Sequence, residues 1–570
     1  MGDSARRWRR PLAALVSAAL IAAVVFNGPT AAAAPTAVEA QRGMVVTSQH
    51  IASEVGAGVL VAGGNAIDAA VAVGYALAVV EPCCGNIGGG GFMTIHLASG
   101  RDTFINFRET APAAATAGMY LDPAGKPLPN LSRYGWRAIG VPGTVMGLDH
   151  ALRKYGSLPR VAVMAPAIAL ARDGFELGRA DAELLDAKAD RFARDPAAAK
   201  IFLRPDGSHF QPGDRLVQKD LAATLEAIAQ KGPDAFYRGP VAAEVSLASR
   251  ANGGILTTRD FADYTVTEGP PLSCSYRSYV IVSAPPPSSG GVTMCEILNI
   301  LEGYDMKALG PRSVRSVELT VEAMRRGYSD RNAYLGDPAF VANPLDRLLS
   351  KGYAAGIRAA MGAGKAPPSA PFAVVREKAD TTHYSIVDGA GNAVAVTYTI
   401  NGYFGAEVIA PGTGFFLNNE MDDFAAQPGA PNSYGLVQGA ADAIAPGKRP
   451  LSSMAPTLVE KDGRVSLVLG SPGGSRIITT VLETIMNIVD YGMGPQAAVD
   501  MPRFHYQGLP DKVLYEPTGL PPDTIAALTA KGHKLVEQKP WGVVELIEID
   551  GGRLWGVSDP RRPNGAAIGY

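Results

Sequence analysis

The sequence has no excess of charge of either sign. Its 570 residues include 52 Lys and Arg against 54 Asp and Glu, which gives a formal net charge of -2 at pH 7. Proteins that neutralise nucleic-acid phosphates carry a clear excess of cations, so this balance argues against a nucleic-acid partner. Hydrophobic residues make up 47% of the chain, which excludes disorder as its main state. The length allows roughly one to four domains.

Cysteine and histidine are both scarce. The four cysteines are Cys83, Cys84, Cys274 and Cys295, too few in 570 residues for a disulfide scaffold. One disulfide is compatible with an oxidising compartment, but the sequence does not give the connectivity, and we expect buried or structural thiols. The seven histidines include no H-x-x-x-H pair and no H-E-x-x-H motif. We therefore predict no metal site and no cofactor.

Long apolar runs are rare, and one of them lies near the N-terminus. Four arginines within the first ten residues precede an uncharged, almost wholly apolar run from Ala13 to Phe26, and small residues follow up to Ala34. This pattern predicts a signal peptide over residues 1–34, with cleavage after Ala34 or Ala40. An uncleaved anchor is the alternative, although the run is short for a bilayer. We expect an exported protein, either periplasmic or secreted, with no transmembrane segment beyond residue 34.

The rest of the chain alternates helix and strand patterns. Residues 43–98 mix both, and residues 140–330 have mostly helical periodicity, which includes a predicted helix over Val314–Arg326. Thr382–Val387 and Ala393–Ile400 flank a glycine-containing turn and predict a β-hairpin. Residues 363–380 are rich in proline, alanine and charge without a period, which predicts an exposed linker. The mixture predicts a layered α/β or α+β architecture.

Two glycine-rich segments indicate close backbone approach. Gly85–Phe92 lacks the Gly-Lys-Ser/Thr sequence that a phosphate-binding loop needs, so we do not predict a nucleotide site. Ser471–Ser475 lies between a predicted strand, Val465–Leu469, and a predicted helix, Ile477–Val489. Backbone N–H groups at a helix N-terminus suit an oxyanion hole, although such segments are also common as plain turns. The G-x-S-x-G motif of serine hydrolases is absent.

Several motifs occur in one order along the chain. They are Gly85–Phe92, Asn106–Pro112, Pro285–Gly291, Thr381–Ser385, Leu417–Phe424, Arg449–Met454 and Gly470–Arg476. Taken singly, the two polar segments Asn418–Phe424 and Lys448–Met454 are also compatible with solvated surface. Together the motifs resemble the γ-glutamyltranspeptidases along nearly all of the chain beyond residue 34. The resemblance implies an α+β, N-terminal-nucleophile hydrolase fold, a four-layer αββα sandwich.

The resemblance also implies autocatalytic cleavage of a proenzyme between Asp380 and Thr381. The products would be a large subunit, residues 35–380, and a small subunit, residues 381–570, which together form one αββα heterodimer. A hydroxyl is a weak nucleophile without a base. The freed α-amine of Thr381, whose ordinary pKa is about 7.7–8.0, would act as that base. The change in composition near residue 380 agrees with such a cut.

The resemblance assigns catalytic roles to four residues. The Oγ1 of Thr381 would attack a γ-glutamyl carbonyl and form an acyl-enzyme, and Thr399 would hydrogen-bond and orient Thr381. The N–H groups of Gly473 and Gly474 would form the oxyanion hole. Water, or an amino-acid or dipeptide acceptor, would then take the acyl group. Glutathione and other γ-glutamyl compounds are the expected donors.

A γ-glutamyl donor carries one carboxylate and one ammonium group, so its recognition needs opposite charges that are placed apart. A planar guanidinium suits bidentate carboxylate binding. The resemblance assigns the carboxylate to Arg108, Ser452 and Ser453, and the ammonium group to Asp423, Asn401 and Glu420. Glu420 stands where family members have Glu or Gln.

A lid is also implied. Residues 428–436 resemble the lid loop of bacterial family members, with Tyr434 as its latch. A lid excludes water and favours transfer to an amine. Its presence argues against the lidless relatives that act on long poly-γ-glutamate chains.

Two other readings stay open. A related acylase that acts on glutaryl or cephalosporin side chains would bind a substrate without the α-amino group, so the presence of Asp423 argues against it. An unprocessed, catalytically silent binding protein would not need Thr381, Thr399, Arg108 and Asp423 together.

Overall fold

A computed structural model describes most of the chain, namely residues 36–361, 381–432 and 434–570. The predicted signal peptide, the predicted linker and Asp380 lie outside the described residues. Within the described ranges, no helix combines the length and the apolar character that crossing a membrane requires.

Strands from both ends of the chain build two seven-stranded antiparallel sheets and two small sheets. The strands are β1 (Val38–Ala40), β2 (Met44–Thr47), β3 (Gly90–Leu97), β4 (Arg101–Asn106), β5 (Phe175–Glu176), β6 (Arg215–Leu216), β7 (Thr267–Gly269), β8 (Leu272–Tyr276), β9 (Tyr279–Ser283), β10 (Thr381–Val387), β11 (Ala393–Thr399), β12 (Thr457–Lys461), β13 (Arg464–Leu469), β14 (Phe504–His505), β15 (Val513–Tyr515), β16 (Leu535–Glu537), β17 (Glu545–Asp550), β18 (Arg553–Ser558) and β19 (Ala566–Gly569).

Helices cover the outer faces of the large sheets. They are α1 (His50–Val61), α2 (Ala66–Val80), α3 (Thr144–Tyr155), α4 (Arg160–Asp173), α5 (Arg179–Asp186), α6 (Ala189–Phe192), α7 (Pro196–Phe202), α8 (Lys219–Lys231), α9 (Asp234–Tyr237), α10 (Pro240–Ala251), α11 (Thr258–Ala262), α12 (Gly290–Leu301), α13 (Met306–Leu309), α14 (Val314–Tyr334), α15 (Leu345–Leu348), α16 (Lys351–Met361), α17 (Ile477–Val489), α18 (Pro495–Asp500) and α19 (Pro522–Ala530).

The layers follow the order helix, sheet, sheet, helix. One sheet, here called the nucleophile sheet, has the strand order β19-β2-β10-β11-β3-β4-β7, and the facing sheet has the order β1-β18-β17-β13-β12-β9-β8. Helices α1, α2 and α3 pack on the nucleophile sheet, and α12 packs on the facing sheet with α14 and α17 behind it. Separate apolar clusters fill each helix–sheet layer and the space between the sheets. The predicted αββα sandwich is therefore confirmed.

Local sequence signals explain the elements that lie nearest the site. Helix α2 begins after Asn65, whose side chain accepts hydrogen bonds from the N–H groups of Ile67 and Asp68, while the Asp68 carboxylate accepts one from the Asn65 N–H. Such a capping box satisfies N–H groups that the first helical turn leaves unpaired. The predicted hairpin is confirmed as β10 and β11, and its turn is held by Asp388 Oδ1, which accepts from two backbone N–H groups.

The Gly85–Phe92 run packs backbone against backbone. A Cβ atom on Gly89 would lie 2.0 Å from the carbonyl oxygen of Thr399, and one on Gly88 would lie 2.1 Å from that of Phe416. Any side chain at either position would therefore push the segment away from the end of β11. The glycines are needed for close approach, as the sequence predicts, and they fix the strand end that carries Thr399.

All four cysteines are in disulfides, whereas the sequence predicts buried or structural thiols. Cys274 in β8 and Cys295 in α12 form a disulfide with an S–S distance of 2.01 Å, and the neighbours Cys83 and Cys84 form a second one. The first pair is 21 residues apart along the chain, and only the packing of α12 on β8 brings its members together. Tertiary packing of this kind is not readable from cysteine spacing.

Candidate active site

Two threonines meet at the open end of the hairpin. Thr381 is the first residue of β10 and Thr399 is the last residue of β11, and the antiparallel register pairs them directly. The Thr381 hydroxyl donates to Thr399 Oγ1 across 3.2 Å, and Thr399 Oγ1 also accepts from the Asn401 N–H at 2.9 Å. Both side chains are buried. The predicted hydrogen bond is present, and it follows from strand register alone.

One cavity gathers most of the predicted site. Its wall includes predicted residues from both sides of the proposed cleavage site, namely Arg108, Thr381, Thr399, Asn401, Glu420, Asp423, Tyr434, Ser452, Ser453 and Gly474. Gly473 directly precedes Gly474 in the turn before α17. Segments far apart in sequence therefore converge on the threonine pair, and of the predicted residues only Asp380 lies outside the described chain.

The glycine turn bends sharply before α17. Gly473 has a φ of 142° and Gly474 has a φ of 55°, both in the region that favours glycine. A short 3-10 turn over Gly474–Arg476 then leads into α17, whose bounds are those predicted. The Tyr328 hydroxyl donates to the Ser475 carbonyl at 2.5 Å and holds the turn from the side of α14. The arrangement directs a helix start at the cavity that contains Thr381.

Arg108 is the centre of the charged end of the cavity. Its fully buried guanidinium donates to Asp423 Oδ2 at 2.5 Å and to Glu420 Oε1, and Glu109 Oε2 lies 3.6 Å away. The resemblance assigns these opposite charges to separate subsites, whereas the structure pairs them with each other. A zwitterionic ligand would exchange this internal pairing for its own two charges.

Burial dominates the electrostatics of these carboxylates. It raises the pKa of Glu109 to about 7, and it raises the pKa values of Glu420 and Asp423 as well, against the opposing effect of Arg108. One guanidinium cannot neutralise three buried carboxylates. Arg108 alone does not pair all three carboxylates, and a ligand ammonium group would give them a further cationic partner.

Tyr434, the predicted latch, contacts the loop that follows β11. The Tyr434 hydroxyl donates to the Asn401 side-chain oxygen and lies 3.2 Å from the Asn401 carbonyl oxygen. Asn432 Oδ1 accepts from the N–H groups of Tyr434 and Leu436, and Gln507 donates to the Tyr434 carbonyl. The segment is thus anchored on both sides of the cavity.

Sequence reasoning missed two residues of the cavity region. Glu109 follows Arg108 directly, and its only signal was this adjacency. Arg331 lines the cavity from α14. That helix was predicted only over Val314–Arg326, and nothing in its pattern distinguishes Arg331 from the other arginines it carries.

A threonine at the start of a central strand, beside a glycine turn in an αββα sandwich, defines an N-terminal-nucleophile hydrolase. The family model described as gamma-glutamyltranspeptidase matches residues 52–569. The chain belongs to the γ-glutamyltranspeptidase family.

The similar proteins are of two kinds. A glutathione hydrolase proenzyme of Pseudomonas sp. (strain A14) is 54% identical, over 98% of this chain and 99% of the relative. The glutathione hydrolase proenzyme of Escherichia coli (strain K12) is 46% identical, over 97% of this chain and 98% of the relative. Among solved structures, cephalosporin acylase from Bacillus halodurans matches with a TM-score of 0.83 and 29% identity, over 96% of this chain and 99% of that one.

Proposed function

We propose that the protein is a self-processing γ-glutamyl transferase and glutathione hydrolase. One observation carries this proposal: the Thr381–Thr399 hydroxyl pair opens into the same cavity as the Arg108–Asp423–Glu420 cluster. The first pair supplies a nucleophile with an orienting neighbour. The Arg108–Asp423–Glu420 cluster supplies opposite charges for an amino-acid head group, within reach of that nucleophile.

The proposed maturation step cuts the chain between Asp380 and Thr381. Strand β10 lies between β2 and β11, so residues 35–380 and 381–570 both contribute to the nucleophile sheet. The facing sheet is shared in the same way, because β1, β8 and β9 come from the first part and β12, β13, β17 and β18 from the second. A heterodimer formed by the cut would be held together by both sheets.

Catalysis then proceeds through the new α-amine. It takes the proton of Thr381 Oγ1 as the oxygen attacks the γ-glutamyl carbonyl, and the N–H groups of Gly473 and Gly474 stabilise the oxyanion. Collapse expels the leaving amine, which receives that proton, and leaves an acyl-enzyme. Water completes hydrolysis, and an amino acid or dipeptide completes transfer. The Tyr434 latch reduces access of water to the acyl-enzyme.

Recognition uses the charged end of the cavity. Arg108, Ser452 and Ser453 bind the α-carboxylate of the donor, and Asp423, Glu420 and Asn401 bind its ammonium group. The acylase alternative is disfavoured by this arrangement. A glutaryl donor has no ammonium group, so two buried carboxylates would keep no ligand partner.

The protein is also proposed to be exported, with residues 1–34 as its signal peptide. The Cys83–Cys84 and Cys274–Cys295 disulfides support an oxidising compartment. N-terminal sequencing of the large subunit from periplasmic and medium fractions tests this, and a start before Ala34 in every fraction would contradict it.

The decisive experiment is a denaturing gel of the purified protein with N-terminal sequencing of each band, beside Thr381→Ala. We expect two bands for the unsubstituted protein, the smaller starting at Thr381, and one band for the variant. Turnover of γ-glutamyl and glutaryl p-nitroanilides then separates the transferase from the acylase. A single full-length band in both samples would favour the silent binding protein instead.

A further inference from the structure

Arg331 stands in unusual surroundings for a buried cation. Its side chain, from the last turns of α14, is only 1% exposed. Among the described residues, no carboxylate oxygen lies within 4.0 Å of its guanidinium nitrogens. Its hydrogen-bond acceptors are all neutral, namely Ser289 Oγ, Asn332 Oδ1, Gln438 Oε1 and Ser453 Oγ, and the carboxylates of Asp442 and Asp423 act on it only from beyond contact distance. A buried charge without an opposite partner is costly, so its retention calls for a reason.

The reason lies in what the guanidinium contacts. Nη2 donates to Ser453 Oγ at 3.2 Å, and Ser453 is one of the serines at the charged end of the cavity. A hydroxyl carries one proton and accepts on its lone pairs. Because Ser453 Oγ accepts from Arg331, its own proton points in another direction. Among the described residues it has no acceptor, so a ligand in the cavity can accept it.

A second arm reaches the neighbouring serine through Ser289. Arg331 Nε donates to Ser289 Oγ at 2.8 Å, and the Ser289 hydroxyl donates to the Ser452 carbonyl at 2.6 Å. A third arm runs through Gln438, which accepts from Arg331 Nη1 at 3.1 Å and donates to the Asp423 carbonyl at 2.6 Å. One side chain thus fixes the backbone or hydroxyl of three predicted binding residues.

The contrast with Arg108 indicates which ligand charge is involved. Arg108 already has three carboxylates within 3.6 Å, whereas Arg331 has none within 4.0 Å. An anionic group held between Arg108, Ser452 and Ser453 would bring a negative charge closer to Arg331, which contacts Ser453, and would offset the cost of its burial.

We propose that Arg331 determines the specificity of this site for donors that carry an α-carboxylate. It is a positioning residue, which orients Ser453 and the Ser452 segment and supplies a second positive charge next to Arg108. This inference rests on the proposed γ-glutamyl function and names a residue to which the sequence assigned no role.

The test compares two donors that differ only in the carboxylate: L-γ-glutamyl p-nitroanilide and 4-aminobutanoyl p-nitroanilide. Arg331→Met keeps an unbranched stem of similar length and removes the guanidinium group with its charge. We expect kcat/KM for the γ-glutamyl donor to fall about 10- to 100-fold, mainly through KM. The 4-aminobutanoyl donor should change less than about threefold. Arg315→Gln, which removes an exposed arginine from the same helix, is the matched control and should leave both unchanged.

Inhibition gives a second readout that does not need turnover of the poor donor. L-glutamate should lose its advantage over 4-aminobutanoate as an inhibitor when Arg331 is replaced. Arg331→Lys keeps the charge and loses the planar fork. It should lower kcat/KM less than Arg331→Met does, and again mainly for the donor that carries the α-carboxylate. If Arg331→Met does not mature, Arg331→Lys decides with the same pair of donors.

Equal losses for both donors, or no change in either, would overturn the inference and leave Arg331 a packing residue. The parent enzyme separates this failure from that of the proposed function. If the unsubstituted protein processes itself but turns over neither donor, the γ-glutamyl assignment fails, and the specificity role fails with it. If it turns over the γ-glutamyl donor and only the Arg331 variants disagree, the function stands and this inference alone is lost.

Discussion

The catalytic end of the cavity and its binding end are built in different ways. The catalytic end consists of two residues, Thr381 and Thr399, which face each other across one hairpin because of its strand register. The binding end draws Arg108, Asp423 and Arg331 from segments that are far apart in the chain. The hydroxyl pair is fixed by local hydrogen bonding, whereas the charges depend on the whole sandwich. Substitutions at the two ends should therefore separate maturation from donor binding.

Arg108→Gln should have the largest effect on donor binding. It leaves Glu109, Glu420 and Asp423 buried without the cation that contacts them, which should cost about 3–5 kcal/mol of stability. We expect kcat/KM for the γ-glutamyl donor to fall at least about a thousandfold, while the protein still cleaves itself. Steady-state kinetics, gels and thermal unfolding measure the three quantities.

Arg277→Gln is the control for Arg108→Gln, since it removes one partner of the partly buried Arg277–Asp490 pair, which is not part of the cavity. It should lower stability and leave turnover intact. Loss of self-cleavage in a folded Arg108→Gln protein would show that the two ends are not independent.

Thr399→Val should damage the catalytic end. It removes the acceptor for the Thr381 hydroxyl and keeps the branched shape. We expect kcat to fall about 100-fold with little change in KM, and self-cleavage to slow. Thr399→Ser restores the hydroxyl and should recover most of the rate. A rise in KM alone would place Thr399 at the binding end instead.

Asp423→Asn sharpens the comparison within the binding end. It removes the carboxylate nearest Arg108 Nη2 and keeps the shape of the side chain. We expect the preference for γ-glutamyl over glutaryl p-nitroanilide to shrink at least about tenfold. An unchanged preference would mean that another group binds the ammonium.

Tyr434→Phe should have a smaller effect. It removes one hydroxyl that donates to Asn401 and leaves the ring in place. We expect about a three- to tenfold shift from transfer towards hydrolysis, because a looser lid admits water. Product analysis with and without an added dipeptide acceptor measures the ratio of transfer to hydrolysis. The control is Asn432→Asp, which should leave this ratio unchanged if only the tyrosine hydroxyl matters.

The smallest effect is expected away from both ends. His96 contacts Asp102 on the nucleophile sheet and Glu460 on the facing sheet, and the hydrogen bond with Asp102 raises the pKa of His96. A raised histidine pKa gives stability that is complete below the ordinary value of about 6.5 and is lost as pH rises through the raised value.

His96→Gln should therefore lower the unfolding temperature by about 1–3 °C at pH 5.5 and by less at pH 9. The exposed His209–Asp186 pair provides the matched variant, His209→Gln, which should change it less. Equal changes at both pH values would rule out a charged His96.

The two ends also differ in how far the sequence predicts them. The hairpin and α17 follow from residue patterns, and the structure gives α17 the predicted bounds. The residue pattern predicts the first strand of the hairpin from Thr382 onward and leaves out Thr381. Only the resemblance identified Thr381 as a candidate nucleophile. At the binding end, Arg108 and Asp423 were predicted from the resemblance alone, because no periodicity brings them together, and Arg331 was missed.

Other features were beyond sequence reasoning for a similar reason. The predicted helix ends at Arg326, whereas α14 continues to Tyr334 and carries Arg331 to the cavity. Its charged surface residues give no signal of where the helix ends. The Cys274–Cys295 disulfide was missed because cysteine spacing does not report which helix covers which strand.

The position of β10 has a further consequence for how the protein reaches its native state. The strand lies between β2 and β11, inside a sheet to which both proposed subunits contribute. The uncut chain folds as a single molecule, so assembly of this sheet is a first-order process. Once the chain is cut, the same sheet requires two molecules to meet, and refolding becomes second-order in protein. Cleavage therefore makes refolding depend on protein concentration, so that dilution slows it.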